Sequence, residues 1–389
     1  MSTGVDGEDA REHKGENDER DAHGRAEPVR RLTQDACMRA RTLTLRELNR
    51  ATLARQLLLR RHRLSVTQAV ERVAGLQAQW SPSPYVGLRT RLDGFEPRAL
   101  DRALLTGRVV KATLMRLTVH LVSRADYASY TSAFDGGRAT KLTGPPIEFA
   151  ERHAEAVRDH LRSAALSRAE IYAWLAETRG VDTRPEALPG LSWEALRIRG
   201  RIAHTPDSAL WAARRMRFAT VDDDLVESAA GRVTLVRRYL AAFGPATRAD
   251  IARWSGVRVR DLESAIATLE PLRSFRDESG RELLDLPRAP RPHGDVAAPA
   301  RLLPRFDNLV LSHDDRRRVI ADEHRSAVVQ GAEVTATFLV DGFVAGLWSF
   351  AGSRVRLEPF APLPRAARRE LAEESARLEA FVRAAGSSR

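Results

Sequence analysis

The sequence predicts an α+β fold in which helices dominate up to about residue 290 and strands dominate beyond it. Two observations lead to this prediction. Short segments with helical periodicity begin at a serine or threonine that is followed three positions later by an acid or amide, the pattern of a helix N-terminus. After a proline-rich stretch, residues 287–299, apolar and polar residues alternate instead, as they do in strands.

A first folded unit is predicted over residues 41–125. Thr44 and Ser65 each begin a capping box and predict two helices, and a third helix fits Pro97–Leu105. Residues 109–122 then alternate as strands of a β-ribbon. Three helices followed by a β-ribbon is the order of a winged helix.

Two further units of the same kind are predicted, over residues 166–225 and 226–290, after a helical connector at 126–165. Ser167 begins the segment SRAEI and Thr247 begins TRADI, and the two align at a constant offset of 80 residues. A hairpin candidate follows each segment. The repeat favours two related helix-turn-helix units, although a repeat this short can also arise by chance.

The last predicted unit, residues 291–389, is a β-rich module. Its segments 334–339 and 343–350 alternate as strands on either side of Asp341-Gly342, a dipeptide typical of tight hairpins. An amphipathic helix over residues 365–384 closes the chain. The complete plan is three tandem winged-helix domains followed by a C-terminal β-rich module with a terminal helix.

The charge of the chain indicates a polyanionic partner. The 389 residues include 63 Lys+Arg and 52 Asp+Glu, a formal net charge of +11. Residues 1–40 contain 10 acids and 7 bases and are predicted to be a disordered acidic tail, so the remainder carries +14. Only three of the basic residues are lysines, and arginine suits contact with phosphate.

Composition also argues against several classes of protein. The apolar runs are too short to span a membrane, and the first forty residues are too polar for a secretory signal. A single cysteine, Cys37, excludes a disulfide framework, and the histidines lack metal-ligand spacing. We therefore expect a soluble, intracellular protein with no membrane span and no metal site.

The most informative short segment contains Gln77 and Gln79. Side chains two residues apart point in opposite directions on a helix but share a face in an extended strand. If both amides act together, the chain must already have left the helix, which Gly75 and the proline run at 81–84 permit. The alternative is a pair of solvated glutamines at a helix end.

Three segments, taken in order, resemble the winged-helix DNA glycosylases of the AlkZ/YcaQ type. They are GLQAQWSPSPYVGLRTRL from residue 75, LMRLTVHLVSRADY from residue 114 and LLPRFDNLVLSHDDRRRV from residue 302. The resemblance covers residues 41–389 and implies three winged helices around a DNA channel. Gln77-Ala78-Gln79 matches the Gln-x-Gln signature of the AlkZ-like branch.

The resemblance also implies the activity. Family members excise N7-alkylated guanines, and some unhook interstrand crosslinks. The expected enzyme is a DNA glycosylase that uses water, with catalytic Gln77 and Gln79 and no cofactor. Double-stranded DNA containing alkylated guanine is the expected partner, and a monomer the expected state. Repair, or self-resistance to a genotoxin, is the expected setting, and a cytoplasmic, nucleoid-associated protein is the expected localisation. A lyase step would need an amine, and Lys111 is the lysine nearest the first β-ribbon.

Further residues are candidates for contact with DNA. Arg116, Thr118 and His120 are predicted to share one face of a strand, where an arginine and a hydroxyl suit phosphate contact. His120 is equally well explained as a structural imidazole. Arginines outside this strand could also contact phosphate or simply be solvated, and they are Arg214, Arg215, Arg305 and Arg316. Residues 304–308 could instead form a structural junction in which Asp307 caps a turn.

Two alternative functions remain open from the residues alone. A non-catalytic winged-helix DNA-binding protein, such as a transcription regulator, would share the charge and the helix order. Such a regulator usually needs a dimer, and the sequence lacks a heptad zipper. A protein that recognises damaged DNA without cutting it is the other alternative.

Overall fold

The computed structural model describes residues 41–134, 142–221, 226–269 and 271–387, so the acidic tail predicted over 1–40 lies outside the described residues. Its helices α1 to α13 are, in order, Leu45–Arg55, Val66–Arg72, Ser83–Arg91, Pro97–Leu105, Arg124–Ala133, Pro145–Leu161, Arg168–Arg179, Ser192–Arg199, Ser228–Phe243, Arg248–Ser255, Val259–Thr268, Arg325–Val328 and Arg365–Ser387. Its strands β1 to β14 are Thr42–Leu43, Leu76–Gln77, Val109–Thr113, Val119–Ser123, Ile202–His204, Phe218–Thr220, Arg273–Asp277, Glu282–Asp285, Arg301–Leu303, Val329–Gln330, Glu333–Val334, Thr337–Val340, Phe343–Ala351 and Arg354–Pro359.

The helix starts predicted from capping boxes are confirmed. In each case the hydroxyl accepts a hydrogen bond from the backbone three residues on, and the side chain at that position binds back to the cap. The capping residues are Thr44, Ser65, Ser167 and Thr247. Within the repeat, Ile171 and Ile251 hold equivalent positions and are both fully buried. The two segments therefore begin helices of the same construction, α7 and α10.

The sheets connect strands that come from different predicted units. The largest has the order β2-β4-β3-β5-β6, and Ala112 of β3 pairs with Ala203 of β5. Strand β1 pairs in parallel with β7, which forms a hairpin with β8. The protein is thus a mixed α+β fold, and residues 42–389 cluster as one compact unit. The division into three winged helices stays a prediction.

One helix was missed where prolines were predicted to end a preceding helix. Helix α2 already ends at Arg72, and α3 begins at Ser83 inside the proline run. Pro84 lies in the first turn of α3, where a backbone N–H has no partner within the helix, so the missing donor costs nothing there. The prolines therefore open a helix rather than close one.

The predicted β-rich module is confirmed in its main elements. Strands β12 and β13 form an antiparallel hairpin around Asp341 and Gly342, whose φ angles are +47° and +84°. These left-handed conformations suit a tight hairpin turn. Strands β14 and β9 complete a four-stranded sheet in the order β14-β13-β12-β9. None of the described helices is long and apolar enough to cross a membrane.

A buried clamp ties the first helices to the segment of this module that follows β9. Both guanidinium nitrogens of Arg91 donate to the carboxylate of Asp307, at 2.9 and 2.8 Å. Asn308 donates to the carbonyl of Gly75 at 2.6 Å, and Ser83 donates to the carbonyl of Arg305 at 2.6 Å. Asp307 also accepts from the backbone N–H of Leu309, so its predicted turn-capping role is confirmed. The clamp closes on both ends of the segment between Gly75 and Arg91.

The Asp307→Asn variant tests the clamp. It should lower the free energy of unfolding by about 3–5 kcal/mol, because it leaves the fully buried Arg91 without a counter-charge. Urea denaturation measures the change. Asp93→Asn is the matched control, since Asp93 pairs at 3.1 Å with Arg63 and both side chains are largely exposed. A loss for Asp307→Asn no greater than that of the control would contradict the clamp.

The pH dependence of stability should reflect three buried histidines. Burial lowers the pKa of His120 to about 3, of His204 to about 2 and of His313 to about 3. Below pH 6.5 the unfolded chain takes up protons that the folded chain does not, so the free energy of unfolding falls as the pH drops from 6.5 toward 3. Each histidine contributes at most about 1.4 kcal/mol per pH unit. Urea titrations at pH 7.5, 6.5, 5.5 and 4.5 measure the slope, and a level stability would contradict the prediction.

Candidate functional site

Gln77 lies in β2, at the edge of the largest sheet, and Gln79 lies at a bend two residues further on. Gly75 enters this segment with φ +91°, and a Cβ there would lie 3.0 Å from the Val122 side chain, so the position requires glycine. Gln77 pairs with His120 of β4, and Ala78 donates to the carbonyl of Val119 at 2.7 Å. The prediction that the chain has left the helix before Gln77 is confirmed.

The Gln77 amide is held in one orientation. Its side chain is buried, and its Oε1 accepts from Nη2 of Arg116 at 2.8 Å. A guanidinium can only donate, so the amide oxygen must face Arg116 and the amide NH₂ must face away from it. The donor NH₂ of Gln77 therefore points away from Arg116.

Gln79 is held much more loosely. It is exposed, and its Oε1 accepts a long hydrogen bond from the backbone N–H of Val119, at 3.3 Å. A carbonyl oxygen has two lone pairs, so one is left for water or a ligand. The two glutamines thus differ: one is buried and fixed, the other exposed and adaptable.

Arg116 lies in a tight turn rather than on a strand, which corrects the sequence prediction. Residues Met115–Leu117 form a 3₁₀ turn between β3 and β4, in which Arg116 and Leu117 have φ of +55° and +63°. Arg116 Nη1 donates to the carbonyl of Trp254 at 2.7 Å. A Cβ on Gly256 would lie 3.1 Å from the Arg116 backbone nitrogen. The turn after α10 therefore packs directly against the residue that holds Gln77.

Thr118 and His120 do not share an exposed face with Arg116, so that part of the prediction is wrong. The Thr118 hydroxyl donates to the carbonyl of Met115 at 3.0 Å and closes the turn. His120 is fully buried, its Nδ1 lies 2.9 Å from the carbonyl of Thr118, and the lowered pKa keeps the imidazole neutral. His120 Nε2 has no hydrogen-bond partner among the described residues, and contact of Thr118 and His120 with DNA stays a prediction.

The other predicted DNA contacts lie in different surroundings. Arg214 and Arg215 are exposed in the loop between β5 and β6. Arg305 lies over the ring of Trp80, at 5.8 Å, and pairs with Glu333. Arg316 is buried and lines a cavity together with Arg116. Contact with DNA stays a prediction for each of these arginines.

Sequence reasoning missed the cavity itself. Its volume is about 550 Å³, and it lies between the Arg116 turn, the turn from α10 to α11 and the segment around Leu311. Arg253 and Arg258 line it beside Arg116 and Arg316. These arginines come from segments far apart in the chain, so charge spacing in the sequence carried no signal for the cluster.

Lys111 lies on the other side of the sheet from Gln77. Lys111 pairs with Leu121, whereas Gln77 pairs with His120, and neighbouring positions of a strand face opposite sides. Lys111 is buried, donates to Ser81 Oγ at 3.2 Å, and has its pKa lowered to about 8 by burial. Among the described residues no group of three or more His, Cys, Asp or Glu side chains could hold a metal ion.

Comparison with known proteins identifies the family. The family model "DNA glycosylase AlkZ-like" matches residues 70–381. An interstrand DNA cross-link repair glycosylase of Streptomyces sahachiroi is 26% identical over 365 residues, which cover 87% of this chain and 95% of that protein. The structure of Streptomyces sahachiroi DNA glycosylase AlkZ superimposes with a TM-score of 0.73 at 23% identity, covering 89% of this chain and 97% of that one, which indicates a common fold. The family match spans most of the chain and includes the Gln77–Gln79 segment and the Arg116 turn that holds it, and the chain therefore belongs to the AlkZ-like family of DNA glycosylases.

Proposed function

We propose that this DNA glycosylase is monofunctional and hydrolyses the N-glycosidic bond of N7-alkylguanine in double-stranded DNA. Bulky adducts and interstrand crosslinks are included among its substrates, in keeping with the name of the Streptomyces relative. The observation that carries the proposal is the pair of neutral amides on one edge segment, Gln77 in β2 and Gln79 at the bend that follows it. The proposed setting is DNA repair or self-resistance to a genotoxin.

Neutral amides suit this lesion because the leaving group needs no strong acid. Alkylation at N7 gives the guanine a positive charge, which the electrons of the breaking C1′–N9 bond neutralise as the base departs. Water then adds to C1′ and loses a proton to solvent. The enzyme must orient that water and complement the charge that moves onto the guanine.

The geometry supports different roles for the two glutamines. Gln79 is exposed and its carbonyl has a lone pair to spare, so it orients the attacking water. The amide NH₂ of Gln77 points away from Arg116 and donates to an acceptor on the departing guanine. A donor is the complementary group there, because electron density grows on the guanine as the bond breaks.

The proposal extends to the product, the partner and the state of the protein. Lys111 faces away from Gln77, so we propose that no Schiff base forms and that the product is an intact abasic site. The +14 charge outside residues 1–40 favours DNA as the polyanion. We propose a monomer that acts in the cytoplasm on the nucleoid.

Gln79→Ala and Gln77→Ala test the catalytic pair. Each variant should slow release of N7-methylguanine from a duplex by at least about 10²-fold under single-turnover conditions, because each removes a group that acts in the transition state. Alkaline cleavage at the resulting abasic sites measures the rate. Borohydride should trap no covalent protein–DNA complex.

Gln68→Ala is the control for the glutamine variants. Gln68 is exposed and caps α2, so its loss should leave the rate unchanged. A Gln79→Ala protein as fast as the wild type would overturn the assignment of Gln79. A duplex crosslinked through two guanine N7 atoms by a bifunctional mustard extends the assay, and failure to unhook it would remove crosslinks from the proposed substrates.

Arg116→Lys tests the positioning of Gln77. Lysine keeps the charge but cannot donate to both Gln77 and the carbonyl of Trp254, which Arg116 binds through separate nitrogens. The single-turnover rate should fall by about tenfold or more while the Kd for DNA stays within about twofold, since only the orientation of the amide is lost. An unchanged rate, or a rate that falls only in step with loss of folded protein, would contradict the positioning role.

A further inference from the structure

Three consecutive arginines in the motif near residue 316 meet three different environments. Arg317 is half-exposed and pairs with Asp315 at 2.6 Å. Arg318 is buried, but its guanidinium donates to the carbonyl of Pro245 at 3.0 Å. Arg316 is also buried, at 9% exposure, and its Nε has no hydrogen-bond partner. Within the described ranges, its guanidinium makes no ion pair either.

A buried cation without a counter-charge is unusual, because burial removes hydration that an ion pair normally replaces. The environment of Arg316 increases this cost. Burial, together with the neighbouring charges of Arg253 and Arg325, lowers its pKa to about 10. Burial and the charges of Arg253 and Arg316 lower the pKa of Arg116 to about 10 as well. The free protein therefore holds Arg116, Arg253 and Arg316 close enough for their charges to repel.

These charges meet at the cavity of about 550 Å³ described above. Among the described residues that line it there is no carboxylate, whereas Arg116, Arg253, Arg258 and Arg316 all contribute to its wall. The remaining wall is largely apolar and includes Leu114. The nearest acid that bears on Arg316 is Asp314, which is already bound by Arg253 at 3.1 Å. The cavity is thus built for an anion attached to a less polar group.

We propose that this cavity binds a backbone phosphate, with its attached sugar, of the DNA strand that carries the lesion, and that Arg316 is its principal ligand. DNA supplies such an anion at every nucleotide, and a guanidinium suits phosphate oxygens. Arg116 borders the cavity and also holds Gln77, so the bound phosphate lies against the residue that orients the amide. The site rests on DNA as substrate, and on the proposed function only for the position of the phosphate beside the lesion.

Arg316→Gln and Arg317→Gln form a matched pair of variants, since each removes one charge from the same turn. Fluorescence anisotropy with an undamaged duplex at several salt concentrations gives Kd and its salt dependence. Arg316→Gln should weaken binding by roughly tenfold and reduce the slope of log K against log salt by about 1. Arg317→Gln should change Kd by less than about twofold, because Arg317 is already paired with Asp315. Equal effects of the two variants would overturn the proposal.

A methylphosphonate scan locates the phosphate. The duplex carries N7-methylguanine on a 2′-fluoro sugar, which resists cleavage, and one phosphate at a time is made neutral. In the wild type, one substitution next to the lesion should weaken binding by roughly tenfold, whereas in Arg316→Gln the same substitution should have no effect. If the same methylphosphonate still weakened DNA binding by Arg316→Gln, the assignment of Arg316 as the phosphate ligand would be contradicted.

The effect of a variant on folding can be separated from its effect on DNA binding. The phosphate site can also be tested independently of the proposed function. Arg316→Gln removes an uncompensated charge, so its Tm should not fall, and a loss of structure would itself contradict the proposal. Arg253 lies on the more exposed wall of the cavity. The Arg253→Gln variant then provides a second test of whether the same methylphosphonate weakens DNA binding. If N7-alkylguanine is the wrong lesion, the wild type will not prefer the modified duplex, yet the difference between Arg316→Gln and Arg317→Gln on undamaged DNA will remain.

Discussion

The buried ion pair between Arg91 and Asp307 is the contact on which the position of the two glutamines depends. Strand β2 has two residues and lies at the edge of its sheet, so its own ladder holds it weakly. The pair fixes the end of α3, and the adjacent Asn308 binds the carbonyl of Gly75 at the start of the segment. A segment held at both ends keeps β2 and the following bend in place, and with them the two amides that we propose act on the substrate.

Most of the local structure was predictable because it depends on neighbouring residues. A capping box closes within four residues, so Thr44 and Thr247 marked the starts of α1 and α10 without any knowledge of the rest of the fold. The hairpin at Asp341-Gly342 follows from the left-handed turn that the dipeptide allows. The pairing of Ala112 with Ala203 joins strands 91 residues apart, and alternation within each strand does not specify its partner.

In the candidate site, too, the sequence predicted local conformation but not contacts between distant residues. Gly75 correctly indicated that the chain has left the helix before Gln77, which lies in β2, whereas Gln79 lies at a bend. Alternation of polar and apolar residues wrongly placed Arg116 on a strand with His120. A tight turn with left-handed residues can carry the same alternation, and the two are distinguished only by the partners of Arg116, which are Gln77 and Trp254. Those partners precede it by 39 residues and follow it by 138.

Net charge alone therefore does not describe the roles of the arginines, because arginines of equal charge have different partners and different functions. Arg91 and Arg318 are buried and satisfied within the protein, and they stabilise the fold. Arg316 is buried, its Nε has no hydrogen-bond partner among the described residues, and in the proposed site a phosphate supplies its counter-charge. A buried arginine without a counter-charge favours only ligands that place an anion beside it. Under this proposal Arg316 therefore fixes the position of the DNA backbone in addition to attracting it. Because Arg116 lines that cavity and also binds Gln77, a phosphate bound as we propose would contact the residue that orients the amide.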